Sequence, residues 1–163
     1  NSISNQGLSE TDESVLESCY GPYLNRLVVE LTEEEERVES HTIRKLAFLK
    51  RCSGQVALDD FGAGYNSEVS LLAVKPDFIK VDMSIVRNCH QDKNRQEMIS
   101  NMISFARKNQ SLVIAEGIQS REEMETVIRL GVDYLQGYYL GVPSLIPQPV
   151  PQEVAREILD LNR

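Results

Sequence analysis

The chain has three cysteines, Cys19, Cys52 and Cys89, and no two of them are spaced as CxxC. An odd, unpaired set argues against a disulfide framework and for a reduced, cytoplasmic protein. Three buried small hydrophobes fit the same residues equally well. Basic side chains are the minority, 17 Lys and Arg against 25 Asp and Glu, for a net charge of −8. That balance argues against DNA or RNA as a partner, because non-specific binding needs a basic surface to displace counterions. It leaves room for a small nucleotide, whose phosphates metal ions can hold. No apolar run approaches the roughly 20 residues of a membrane span, so no membrane contact is expected of this segment. A parent protein could still be anchored through domains outside it. No signal peptide, low-complexity tract or short repeat is visible. The first residue is Asn1 rather than Met, and we read the chain as a fragment. His41 and His90 are the only histidines; they lack the spacing of a His-based metal site and read as surface residues. No GxSxG elbow or Cys–His signal stands out. The DFG at 60–62 suggests a kinase, but the HRD loop and Gly-rich phosphate loop that a kinase needs are missing.

What is present is enough apolar sequence for a core: 41% of 163 residues, which suits one domain. The apolar runs are short: LVVEL (27–31), QVALDDF (55–61), FIKVDM (78–83), LVIAEG (112–117) and YLQGYYLG (134–141). Their Val, Ile, Leu and Tyr content predicts strands buried on both faces. Helical patterns lie between them. Thr32 and Glu35 can form a capping box ahead of Val38, Ile43, Leu46 and Leu49. A second helix carries Met98, Ile99, Met102, Ile103 and Ala106. A third opens on the capping pair Ser120 and Glu123, carries Met124, Val127 and Ile128, and stops at Gly131. A last helix starts near Pro151 and buries Val154, Ile158 and Leu159, after a stiff Pro-rich connection at 142–151. SEVSLLAV ends before Lys75-Pro76, and ESVLESCYGPYL contains a helix ended by Gly21-Pro22. Alternating strands and helices with short connections predict an α/β fold with a parallel sheet. A closed barrel and an open doubly wound sheet both satisfy the pattern, and five strands alone do not close the eight-stranded version.

Polar groups recur at the carboxyl ends of these runs: Glu30, the pair Asp59 and Asp60, Lys80 with Asp82, Glu116, and Gln136. In parallel α/β folds those ends share one face, and that face carries the site. Converging carboxylates in a partly buried site must be protonated or neutralised by cations. Hard carboxylate oxygens suit Mg²⁺ or Mn²⁺, and two such ions form the clamp used in phosphodiester hydrolysis. Lys80 can position a water or offset developing phosphate charge, and Gln136 can bond a water or the substrate. The glycines of FGAG let the chain turn beside a ligand. Each residue alone has a plainer explanation. Glu33 to Glu36 suit a solvated helix start, Asp82 a cap on the turn at Ser84, and Asp60 an Asx turn. Their joint placement at strand ends is what favours a site.

VVELTE, LDDFGAGYNS, DFIKVD, VIAEGI and DYLQGYYLG, in that order, resemble the EAL family of bacterial cyclic di-GMP phosphodiesterases. The resemblance runs from about Leu27 to Pro143 and extends through the last helix. It implies a TIM-like (β/α) barrel of the EAL type, N-terminally incomplete here, with residues 1–163 forming the C-terminal portion of a single domain. It implies hydrolysis of cyclic di-GMP to linear pGpG with a two-metal Mg²⁺ or Mn²⁺ site. By motif matching, Glu30, Asp59, Asp60 and Glu116 look like metal ligands, and Lys80 like the lysine near the attacking water. Gln136, Gly137 and Tyr138 look like substrate contacts, with Gln136 also beside the metal-bound waters. Glu33 resembles the glutamate that steadies the FGAGYNS loop. The family further implies a homodimer and a regulatory sensory or GGDEF domain outside this chain.

Two departures follow from the same resemblance. The Glu-Ala-Leu strand is absent, and the opening NSIS resembles the end of the second strand, which makes Asn1 a candidate ligand. The usual AEGVE is AEGIQ here, so Gln119 stands where a charge is expected. Two alternatives are therefore carried: a catalytically impaired domain that acts as a cyclic di-GMP receptor, and a protein-interaction module. The 163-residue chain alone is expected to turn over slowly.

Overall fold

A computed structural model describes residues 10–31, 40–61, 75–146 and 148–161. In chain order these form α1 (Glu10–Tyr20), a 3₁₀ turn (Gly21–Arg26), β1 (Val28–Leu31) and α2 (Ser40–Arg51). Then come β2 (Gln55–Phe61), β3 (Phe78–Val81), the single turn α3 (Met83–Val86), a 3₁₀ turn (Cys89–Gln91) and α4 (Lys93–Lys108). The chain continues with β4 (Leu112–Ala115), α5 (Arg121–Leu130), β5 (Tyr134–Leu135) and α6 (Gln152–Leu161). The five expected strands are all present, trimmed at their ends. The Thr32–Glu35 capping box, Val38, SEVSLLAV and the FGAG glycines lie outside the described residues, as do Asn1 and Glu33. The side chains of His41 and Ile43 do too.

The strands pair in parallel in the order β1-β2-β3-β4-β5. Sequential order means that the sheet is wound in one direction, as in a barrel; a doubly wound sheet reverses its order midway. One face carries Leu31, Val56, Leu58, Ile79, Val81, Val113 and Ala115, all buried. They form one core with Leu49 of α2, Ile99, Met102, Ile103 and Ala106 of α4, Met124 and Val127 of α5, and Val154 of α6. Each such side chain contributes about 1.5–3 kcal/mol by leaving water. The opposite face differs from the expectation of burial on both sides. Val28 and Tyr134 are exposed there, and Phe78 meets Tyr134 edge-on with ring centroids 5.9 Å apart. This second face corresponds to a barrel interior, and it carries the polar residues.

Local chemistry sets the element ends. Asp92 caps α4 by accepting from the N–H groups of Asn94 and Arg95. Ser120 caps α5 by accepting from Glu123 N–H, and Gly131 ends it with φ +98°. The capping pair is only half of a box. Glu123 is buried, and its carboxylate accepts from Gln119 N–H at 2.8 Å and Asn88 N–H at 2.9 Å. It thus ties the start of α5 to the loop before α4. Asp77 and Asp133, each one residue before a strand, do the same job twice. Asp77 gives its N–H to the Val56 carbonyl and accepts the Val56 N–H at 2.8 Å; Asp133 makes the same pair of bonds with Val113.

Three expectations about burial are corrected. Leu159, expected to be buried, is 63% exposed, because it sits on the solvent edge of its helix's apolar stripe. Of the cysteines only Cys89 is buried; Cys19 is exposed. His90 is half-buried rather than on the surface, with Nδ1 enclosed and without a partner among the described residues. It lines a cavity of about 420 Å³ with Gln96, Glu122, Glu125, Thr126, Arg129 and Leu130, none of which belongs to the cluster of strand-end polar residues.

Candidate active site

Side chains alternate along a strand, so residues two apart share a face. Parallel register extends that rule across the sheet. Glu30 pairs with Ala57, Ala57 with Phe78 and Lys80 with Ile114. Glu30, Asp59, Lys80, Glu116 and Gln136 therefore all fall on the interior face, at the carboxyl end. Asp60, next to Asp59, would point into the core in a regular strand. It does not, because β2 carries a bulge. Leu58 pairs with Ile79 but Phe61 with Val81, so β2 spends one more residue than β3 over that stretch. Asp60 takes up the extra residue with φ +53°, left-handed backbone that Asp tolerates better than most residues. Adjacent carboxylates can then meet. Asp59, Asp60 and Glu116 present oxygens that all lie within 4.8 Å of one another.

Lys80 sits at the centre. Its Nζ lies 2.8 Å from Glu30, 2.8 Å from Asp59 and 2.9 Å from Glu116, and the side chain is 6% exposed. Strand-end position alone placed Lys80 near the carboxylates; it did not show that one ammonium bonds three of them. Burial pulls the Lys80 pKa down, but the hydrogen bonds it donates to Asp59, Glu30 and Glu116 outweigh it and hold the ammonium above its usual range. Burial pushes the Glu116 carboxyl up, against the pull of Lys80. Asp60 is also raised, by burial first and then by the charges of Asp59 and Asp82. Asp82 is held down despite burial because it accepts from the Ser84 N–H at 2.8 Å, the expected cap, and bonds the Asp60 carboxyl as well. Lys80 thus relieves crowding among Glu30, Asp59 and Glu116, while Asp60 and Asp82 add negative charge beside them.

Two glycines allow the strand ends to close up. Gly117 has φ +68°, and a Cβ there would stand 2.4 Å from Met83 Cβ, next to Asp82. A Cβ on Gly137 would stand 2.2 Å from the Ile118 carbonyl oxygen. Gln136 follows β5 at the same end; its N–H donates to the Ala115 carbonyl and its carbonyl accepts from Ile118 N–H. Gln136 and Tyr138 are exposed, Tyr138 at 66%. Gln119 is exposed as well, three residues past Glu116, and its amide is held by Glu123.

The donor set fits a divalent cation. It consists of oxygens only, from three clustered carboxylates, with a fourth reached through Lys80. The EAL domain family model matches residues 1–143. The chain belongs to the EAL domain family. This EAL domain is 34% identical over 120 residues to the cyclic di-GMP phosphodiesterase PdeF of Escherichia coli K12, covering 73% of the chain but 16% of PdeF. It is 30% identical to a standalone EAL protein from Vibrio cholerae O395 solved with cyclic di-GMP, with a TM-score of 0.76 over 89% of this chain and 62% of that one. It is also 30% identical to Klebsiella pneumoniae BlrP1 in a manganese and cyclic di-GMP complex, with a TM-score of 0.68 over 74% of this chain and 31% of that one. The five parallel strands of this EAL domain are accordingly part of a TIM-like barrel.

Proposed function

We propose that the protein carrying this EAL domain hydrolyses cyclic di-GMP to linear pGpG with two divalent metal ions, Mg²⁺ or Mn²⁺. The observation that supports this most is the meeting of Asp59, Asp60 and Glu116 oxygens within 4.8 Å beside a triply bonded lysine. Glu30, Asp59, Asp60 and Glu116 would hold the ions, with Asn1 a further candidate ligand. When bound, the metal pair polarises the scissile phosphate and acidifies the attacking water.

Water adds to phosphorus, the bond to the 3′ oxygen breaks, and the products are a 5′-phosphate and a 3′-hydroxyl on one opened dinucleotide. Lys80 lies against three of the carboxylates, Glu30, Asp59 and Glu116. From there it would place the water and offset charge growing on the phosphate. Gln136 and Gly137 line the substrate side, and the exposed Tyr138 ring can stack on a guanine. Glu33 would steady the loop after Asp60. The same proposal has the domain working as a homodimer under a sensory or GGDEF domain.

The test is incubation of the full-length protein with cyclic di-GMP and Mn²⁺. Linear dinucleotide is expected, with Asp59→Asn and Glu116→Gln each slowing its appearance by at least about 100-fold. No product at high enzyme concentration would end the proposal.

A further inference from the structure

The loop after β5 is fastened to Ile118 at two points. Gln136 accepts the Ile118 N–H at 3.1 Å and Tyr139 donates its N–H to the Ile118 carbonyl at 3.1 Å. Gly137 lies between them against the same residue, and Leu140 and Gly141 turn back onto the Gly137 carbonyl. Gln136 and Tyr139 are therefore tied to one residue, Ile118, which lies two residues past Glu116. The far side of this loop is held by α6, which lies wholly beyond the residues matched by the family model. The Tyr139 hydroxyl donates to Glu157 Oε2 at 2.9 Å. Glu157 Oε1 lies 3.5 Å from Arg121 at the start of α5, and Arg121 also bonds Glu125 at 2.8 Å. Glu157 is 22% exposed on its side chain, so the bond is partly shielded from water. Burial and then the Glu157 bond keep the Tyr139 phenol above its usual range, so it stays a donor at neutral pH. Val154 and Ile158 anchor α6 on the core whether or not that bond is made.

We infer that Glu157 is a positioning residue for the Gln136–Tyr138 substrate loop, acting through the Tyr139 hydroxyl. This rests on the site described under the proposed function. A carboxylate acceptor on a separately anchored helix fixes where the loop sits, and Gln136 inherits that position through Ile118. Loss of the bond widens the loop's distribution without touching the carboxylate cluster. It therefore weakens substrate binding in ground and transition states alike, a KM effect.

The experiment uses the full-length protein with Glu157→Ala, Glu157→Gln and Tyr139→Phe. For Glu157→Ala and Tyr139→Phe, KM for cyclic di-GMP is expected to rise about fivefold, with kcat within about twofold and Mn²⁺ affinity unchanged. Glu157→Gln keeps an acceptor oxygen and is expected to restore most of the binding. Amide hydrogen exchange at Tyr139 and Gly141 should quicken in the Ala variant while Val113 and Ala115 stay as protected as in the wild type. Wild-type KM and exchange in Glu157→Ala, a Gln variant no better than Ala, or faster exchange across β4 as well would each overturn the inference. If the wild-type full-length protein does not cleave cyclic di-GMP, the site proposal fails on that result. The exchange arm still decides the clamp: local quickening upholds it and unchanged exchange rejects it.

Discussion

At the scale of single residues, Lys80 organises the site. One ammonium is bonded to Glu30, Asp59 and Glu116, and removing it leaves three carboxylates facing one another. Breaking a buried charge network from one side costs about 3–5 kcal/mol; here about 2–4 is expected, because Glu30 is half-exposed and water can take up part of the loss. Lys80→Met should therefore unfold at lower urea than the wild type in metal-free buffer, and should lose at least about 100-fold in kcat. Wild-type urea stability would show that the ammonium does not hold the cluster together. Cys89 offers a second measurement. Burial and then the charge of Glu123 push its thiol up to about 11, so almost no thiolate exists at neutral pH. In native protein Cys89 should resist iodoacetamide while the exposed Cys19 is alkylated, and both should react in urea.

At the scale of elements, the fold relies on carboxylates that join neighbours far apart in sequence. Asp77→Ala leaves the Val56 N–H without its acceptor at the start of β2 and should cost about 1–3 kcal/mol, read as a lower thermal midpoint. Asp77 lies at the amino end of the sheet, away from the cluster, so KM and kcat should hold. The α1–α2 pair carries a pH dependence. Hydrogen bonds from Arg44, then Arg51, hold the buried Glu13 carboxyl below its ordinary value of 4.5. The folded state thus releases this proton more readily than the unfolded chain. Its stabilising contribution is present above 4.5 and is lost as pH falls through the lower folded value. Glu13→Gln should lower stability at neutral pH and flatten its fall on acidification below that range. An unchanged acid profile would mean that the α1–α2 ion pairs carry no net stability.

At the scale of the whole molecule, a net charge of −8 is partly concentrated at one end of the sheet, where five carboxyls meet one lysine. Ligand that binds only the folded state stabilises by mass action, about 2.7 kcal/mol at one hundred times Kd. Mn²⁺ should raise the thermal midpoint well beyond the effect of NaCl at equal ionic strength, and Asp59→Asn should remove that difference. An equal Mn²⁺ shift in the Asp59→Asn variant would place the ion elsewhere.

Much of this protein is written in its residue order. Apolar runs separated by amphipathic stretches are consistent with a parallel α/β sheet, because burial imposes a period on each element separately. Parallel strands then carry Glu30, Asp59, Lys80, Glu116 and Gln136 to one end whatever the details of packing. Other features depended on how separate elements meet, and no local pattern reports that. Asp60 reaches the cluster only because β2 gains a residue on β3 and turns left-handed there. Lys80 becomes a common counterion only because three strands bring their acceptors within 3 Å of it. Glu123 reads as a capping-box partner but bonds Asn88, 35 residues away. Tyr139 meets Glu157 across a Pro-rich connection that says nothing of where α6 lands. Periodicity records whether a side chain leaves water; which partner it finds depends on register, bulges and helix placement, which the assembled backbone alone decides.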